Sequence, residues 1–336
     1  MPPAPRRTLQ DVADAAGLSL AATSYALRGT RGAPATIERV RAVAAELGYR
    51  VDPIARALAS GRTGTVGVAA ALRDLWQQDL AVELNHALRE HDLMAAIADS
   101  DADPAQERRV LEQFAAQRVD GVVAVPADPS ADYWTLLDPG TALVTIGDAL
   151  SARPDASAVL FDNRHGVSTS LRHLHGLGHR RVALLTPALP TTPGRPSQLL
   201  AQEVARELGL ELTVAPSPAS TAGAVAVARA ALAAPERPTA LFCLSDSLAY
   251  GAYRAARDAG LDVPGDVSVL GYDDQELAPL VAPPLTTTAW DEDAIVAAAL
   301  EQLLRLLGAG ERRPGPPGRV EFRPELVVRS STGPAR

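Results

Sequence analysis

From residue 64 onward, short uninterrupted apolar runs alternate with segments whose apolar residues recur at helical spacing. The runs at 66–70, 93–98, 119–125, 142–146, 181–185, 211–214, 240–244 and 267–271 read as strands. Helical spacing fills 79–91, 104–117, 165–177, 197–208, 220–233, 246–259 and 291–307. A strand with no polar alternation is covered on both faces. A helix between two such strands supplies the crossover that a parallel pair requires. The expected fold class is therefore α/β, built on parallel sheets. About 270 residues of this pattern imply two lobes. Ligands of such sheets bind outside the carboxyl ends of the strands, which points to the crevice between the lobes.

The first 63 residues follow another rule. Thr8 precedes Asp11 by three, a capping-box-like start, and Leu9, Val12, Ala13 and Ala16 then recur at helical spacing. Gly17 ends that helix and Ser19 can cap a second, running to about Leu27. Pro34 suits the first turn of a third, which carries Ile37, Val40, Val43, Ala44 and Leu47 on one face. Two helices joined by a short Gly-centred turn form a helix-turn-helix. Charge separates this from a generic three-helix fragment. Residues 1–62 hold nine Arg and five acids, a net of +4, whereas the rest holds 23 Arg and 35 acids, a net of −12. A basic head on an acidic body is the footprint of a nucleic-acid-binding module. The expected domains are a head at 1–52, a hinge helix at 53–63 and a core at 64–332. The first lobe takes about 64–160 with 290–318, and the second about 161–288 with 319–332.

Other classes are excluded or weakened. No apolar run approaches the ~18 residues of a membrane span. No apolar stretch follows Arg6 and Arg7, so no secretory signal is read and a cytoplasmic protein is expected. A single Cys, Cys243, excludes a disulfide framework. His173, His175 and His179 do not share a helix face, so neither metal nor cofactor is expected. Gly176-Leu177-Gly178 follows a helix and lacks a third Gly, so it is no dinucleotide fingerprint. No nucleophile elbow or P-loop occurs, which argues against an enzyme.

Several blocks, in order along the chain, resemble the lactose-repressor/galactose-repressor family of bacterial transcription regulators. They are TLQDVADAAGLSLAATSYALRG at 8–29, ARALASGRTGTVGV at 55–68, FDNRHGVSTSLRHLHGLGHRRVALL at 161–185, LSDSLAYGAYRAARDAGLDVPGDVSVLGYDD at 244–274 and APPLTT at 282–287. The resemblance implies a periplasmic-binding-protein-like two-lobed core behind the head. It also implies a homodimer on a pseudo-palindromic operator and a small-molecule effector between the lobes. The expected function is an effector-responsive repressor. A sugar-acting α/β enzyme and a stand-alone sugar-binding protein are the alternatives. No heptad follows residue 320, so a dimer is expected rather than a tetramer.

Candidate site residues follow. Residues near the start of the recognition helix face the major groove, here Leu20, Ala21 and Tyr25, with Ser19 and Thr8 close by. Leu20 either presses on thymine methyls or packs into the head's core. Arg28 and Arg31 suit phosphates. Leu58 matches the family's minor-groove wedge, with Arg56 beside it. In the cleft, Asp246 and Asp273 follow strands and suit a ligand rich in hydroxyl donors, such as a sugar or nucleoside. Asp273 matches a family effector contact, and Asp246 either joins it or caps its helix. Trp290 and Trp76 offer stacking walls on opposite sides, although packing serves Trp76 equally. Arg195 matches the family's effector-binding Arg only approximately. The stretch LRDLWQQD at 72–79 lacks the family's Asn-Pro-Phe-Phe-like segment.

Overall fold

The computed structural model describes residues 7–29, 31–49, 61–187, 197–218, 221–308 and 317–336. It divides into two units, 1–63 and 64–336. The first holds helices α1 (Leu9–Ala16), α2 (Leu20–Arg28) and α3 (Pro34–Glu46). A reciprocal capping box starts α1: the Thr8 hydroxyl accepts from Asp11 N, and the Asp11 carboxylate accepts from Thr8 N at 2.8 Å. Gly17 then turns the chain with φ 65°, a conformation that costs residues with a Cβ. Ser19 caps α2 by accepting from Ala22 N at 3.2 Å. Val12, Ala16, Ala26, Val40 and Ala44 form the buried centre of this small unit. The expected hinge helix at 53–63 lies, save 61–63, outside the described residues.

The second unit is built on two parallel sheets. The first has the order β11-β5-β4-β3-β1-β2. Its strands are β1 (Thr65–Ala70), β2 (Met94–Asp99), β3 (Gly121–Ala124), β4 (Ala142–Gly147), β5 (Ser157–Phe161) and β11 (Arg319–Phe322). Helices α4 (Leu75–Glu90) and α5 (Pro104–Gln117) connect the early strands. The second sheet has the order β7-β6-β8-β9, with β6 (Arg181–Pro187), β7 (Glu211–Ser217), β8 (Ala240–Cys243) and β9 (Ser268–Leu270). Its helices are α6 (Asn163–Gly176), α7 (Ser197–Leu208), α8 (Thr221–Leu232) and α9 (Asp246–Asp258). Both sheets are wound alike: the first strand is flanked by the second and third. Each lobe therefore has its own switch point, where neighbouring connections leave in opposite directions and open a crevice. Helices α8 and α9 cross so closely that a Cβ on Gly251 would lie 2.4 Å from the Ala224 Cβ.

The chain passes between lobes three times. It leaves the first lobe after β5. It returns after β10 (Thr287–Ala289) as α10 (Glu292–Leu307), whose Ile295, Ala299 and Leu303 complete the first core. It crosses again between β11 and β12 (Glu325–Val327), which pairs antiparallel with β10. This corrects the expected assignment of 319–332 to the second lobe. Strand β11 pairs with β5 in the first sheet, from Arg319 beside Ala158 to Phe322 beside Phe161. Only the segment after it joins the second lobe, where His179 and His173 bond Gly333 and Thr332.

Candidate nucleic-acid interface and effector cleft

On the head, α2 presents a two-sided surface. Thr23 and Ala26 are buried, whereas Leu20 is 45% exposed and Tyr25 39%. Leu18 and Leu27 tuck against the core instead. The choice left open for Leu20 is thereby decided in favour of exposure. Ala21 is exposed beside it. The Arg31 guanidinium lies 5.5 Å from the centre of the Tyr25 ring, within range of a cation–π contact. The hydroxyls of Thr8 and Ser19 are engaged as helix caps. Arg56 and Leu58 lie outside the described residues, as does Arg195.

In the second unit, the carboxyl ends of β3, β4, β5, β6 and β8 converge on one cleft between the lobes, lined by Pro126, Gly147, Phe161, Pro187 and Ser245 among others. Helices capped by Asp74 (α4), Asp162 (α6) and Ser245 (α9) begin there. Their N-termini turn the positive ends of the helix dipoles toward this region. The floor is aromatic. Phe161 stacks on Trp290, with centroids 4.3 Å apart and planes at 27°. Trp76 meets Phe161 edge-on at 5.6 Å, and Tyr272 approaches Trp290 at 6.0 Å. The Trp76 indole N–H is buried without a partner, a costly state for a donor bordering a cleft.

Three carboxylates follow the strands of the second lobe, and their partners separate them. Asp246 is fully buried and accepts from the Thr287 hydroxyl at 2.6 Å and from Gln275 N at 2.8 Å. Asp274 takes a two-pronged ion pair from Arg329, at 2.6 and 3.1 Å. Asp273 lines the cleft. Its backbone is held in a strained conformation, φ 109°, by Asp273 N donating to Thr288 O at 2.7 Å. Burial, and then the carboxylates of Asp74, Asp246 and Glu292, push the Asp273 pKa well above its usual value; a bond from the Trp290 side chain partly offsets them. Burial likewise raises Asp74, and lifts both Asp246 and Glu292 to about 7. The cleft thus disfavours negative charge. It favours whatever stabilises a carboxylate on arrival: a donor or a cation.

A helix-turn-helix unit joined to two like-wound lobes around such a cleft has known counterparts. Residues 8–52 match the bacterial regulatory proteins of the lacI family, and residues 171–332 match the periplasmic binding protein-like domain. The regulator MalR of Streptomyces coelicolor is 33% identical over 341 residues, covering 97% of each chain. The regulator PtxS of Pseudomonas plecoglossicida is 31% identical, covering 97% of this chain and 96% of that one. The chain belongs to the lacI family of bacterial transcriptional regulators. Its fold matches the crystal structure of the lac repressor dimer bound to operator and the anti-inducer ONPF. The TM-score is 0.81 at 23% identity, covering 98% of this chain and 100% of that one. The chain is a DNA-binding regulator and not an enzyme.

Within this lacI-family frame, one sequence expectation about the cleft is corrected. Asp246 is neither a cleft residue nor the helix cap. Ser245 caps α9, and both Asp246 oxygens are occupied within the protein. Trp76 and Trp290 both line the cleft. Both pack on Phe161, and Trp290 touches the cores of both lobes. The sequence reading missed Asp74, Gln77, Phe161, Tyr272 and Ser245 as cleft residues. An Asp three residues before Gln77, and a Ser directly before Asp246, were legible as helix starts. Nothing local marked Phe161 or Tyr272 as floor.

Proposed function

We propose that this regulator is an effector-responsive repressor. It binds a pseudo-palindromic operator as a homodimer in the cytoplasm and takes a small, neutral, hydroxyl-rich ligand in the interlobe cleft. The observation that carries the effector reading is the sorting of the three carboxylates. Asp246 and Asp274 are spent on Thr287, Gln275 and Arg329, while Asp273 lines the cleft beside an aromatic floor. A hydroxyl-bearing ring places donors on such a carboxylate and its apolar face on an aromatic ring. Leu20, Ala21 and Tyr25 read base edges. Thr8, Ser19, Arg28, Arg31 and Arg56 position the backbone, and Leu58 wedges the minor groove. Trp290 and Trp76 support the floor, and Arg195 stays a candidate effector contact through the family resemblance alone.

The homodimer reading draws on exposed apolar side chains in both lobes. Met94 is 63% exposed on the edge strand β2, and Leu280 is 73% exposed in the second lobe. Edge strands and apolar patches of this kind are ordinarily covered. Among the described residues, no helix is long and apolar enough to cross a membrane. The test has two arms. Gel shifts with and without residues 1–62 should show operator binding only with the head. A thermal-shift screen of sugars and nucleosides should find a ligand that raises the midpoint, by roughly 2.7 kcal/mol of stabilisation at 100 times its dissociation constant. Operator binding that survives loss of the head would overturn the first arm. A cleft indifferent to every hydroxyl-rich probe would overturn the second.

A further inference from the structure

Strand β9 forms one edge of the second sheet, and residues 329–335 cover that edge. Val269 N donates to Ser331 O at 2.9 Å, the Ser331 hydroxyl donates to Val269 O at 2.6 Å, and Gly333 N donates to the Ser268 hydroxyl at 3.0 Å. Ala335 N reaches Leu177 O at 2.9 Å. At the root of the segment Arg329 clamps Asp274, next to Asp273 of the cleft. Two histidines fasten the other end. His179 is only 1% exposed. Its Nε2 lies 3.0 Å from Gly333 O and 3.1 Å from the Ser268 hydroxyl, and its Nδ1 lies 2.8 Å from the Thr239 hydroxyl. A carbonyl only accepts, so Nε2 carries the hydrogen and Nδ1 accepts from Thr239. The fastened ring is therefore neutral. A second proton would sit on Nδ1 and turn the Thr239 hydroxyl toward Arg181 O, 3.4 Å away. The bonds survive that exchange, but the buried charge meets no anion. Among the described residues, neither the His179 ring nor that of His173, whose Nε2 meets the Thr332 hydroxyl at 2.9 Å, has a carboxylate bonded to it.

The charged groups on the packed elements are mostly cations. Strand β6 brings Arg181, and Arg180 before it donates to His179 O at 2.8 Å. Helix α6 brings Arg172, His173 and His175. The approach to β8 brings Glu236 and Arg237, the latter bonded to Asp266 O. The acids before β9 are Asp262 and Asp266, and the Asp266 carboxylate accepts from Asp262 N. Arg336 follows the segment. Burial holds the His179 pKa below its ordinary 6.5; the Gly333 carbonyl partly offsets this and His173 adds to it. Burial lowers His173 as well. We propose that residues 329–335 are a pH-responsive strap on the second lobe, latched along β9 by neutral His179 and His173 and released when these rings take up protons. Released rings meet water and bind protons more readily, so acid favours release. The latch is complete above about pH 6.5 and is lost as pH falls through the lowered pKa values. Release uncovers the β9 edge and loosens the Arg329 clamp, so the change is passed toward Asp273.

Hydrogen exchange of the full chain tests this, read at Gly333 and Ala335 from pH 8 to pH 5 and divided at each pH by the rate in the free peptide 329–336. Protection of both amides should fall at least about tenfold on acidification, because opening takes up a proton at each ring. Strand β3 of the first lobe should stay protected throughout. The readout is local because the raised Asp246 pKa gives global stability the opposite slope. His179→Gln should flatten most of the fall, and His179→Gln with His173→Gln should flatten the rest. Where a variant loses protection in β3 at pH 8, ring C–H NMR of wild-type His179 takes its place: the titration midpoint should lie below 6.5 and coincide with loss of protection at Gly333. Protection independent of pH, a fall that survives in the folded double variant, or titration of His179 with Gly333 still protected overturns the proposal.

Discussion

At Asp246, a carboxylate performs structural work that its sequence position disguises. It ties the start of α9 to Thr287 of β10 and to the loop at Gln275, with bonds of 2.6 and 2.8 Å. Burial raises its pKa to about 7 against an ordinary value near 3.8. Between those values the folded chain holds a proton that the unfolded chain has lost. Stability therefore falls as pH rises from about 4 to about 7, and levels off above. Asp246→Asn removes the titrating group, so the gap in melting temperature between wild type and this variant should narrow from pH 5 to pH 8. A gap that widens would contradict the raised pKa. Asp246→Ala strands a backbone N–H and a hydroxyl and should cost about 2–4 kcal/mol, at one to two per buried group. Neither variant should change operator affinity of the folded protein, because the head carries none of these contacts.

Helix α2 is the element on which the proposed specificity rests, and its local chemistry separates the proposed readers from the positioners. Ser19 fixes its start, Thr23 and Ala26 anchor its buried side, and Leu20, Ala21 and Tyr25 remain outside. Arg31 over the Tyr25 ring couples a cation to a candidate base reader. Arg31→Ala should lower the slope of log affinity against log salt by about one unit on every duplex, since one phosphate partner is lost. Tyr25→Phe should leave the slope alone and change the ranking of operator variants. A slope unchanged by Arg31→Ala would limit that side chain to supporting Tyr25. The elements themselves were largely legible. Long amphipathic helices and uninterrupted apolar strands each satisfy a strong period, and α5, α7 and α10 fall within a residue of expectation. Helix α4 starts at 75 rather than the expected 79, with Asp74 as the cap directly before Leu75 and Trp76. Strands β10 and β12 are three residues long, too short for a period to register. The aromatic floor was invisible because Phe161, Tyr272, Trp76 and Trp290 meet only through tertiary packing, across separations that no local pattern encodes.

Across the whole molecule, two lobes wound in the same order share one cleft and are joined by three crossings, near 161–163, 289–292 and 322–325. Trp290 stands on the second crossing and packs on both cores, so relative motion of the lobes must rearrange its stack with Phe161. On the proposed effector reading, ligand binding and lobe position are thereby linked, and linkage is reciprocal. The factor by which effector changes operator affinity equals the factor by which operator changes effector affinity. Asp273 gives this coupling a pH signature. Its carboxyl pKa is raised by burial and by Asp74, Asp246 and Glu292. A ligand donating hydroxyls to it favours the ionised form, so binding expels a proton. Effector affinity should consequently rise with pH and flatten once the free protein is already ionised. Asp273→Asn preserves shape and removes both charge and titration. It should weaken the effector by about one to two decades, the worth of a charged hydrogen bond at roughly 1.5–3 kcal/mol. It should also flatten the Asp273 part of the pH dependence. Operator affinity without effector should stay near wild type, and the effector concentration that alters DNA binding should move by the same factor as the dissociation constant. Titrations of effector over a range of pH, on wild type and on Asp273→Asn, with and without operator, measure all of these quantities. A wild-type affinity independent of pH, or a variant that binds as tightly as wild type, would move the ligand away from Asp273 and require another contact to carry the signal from cleft to DNA.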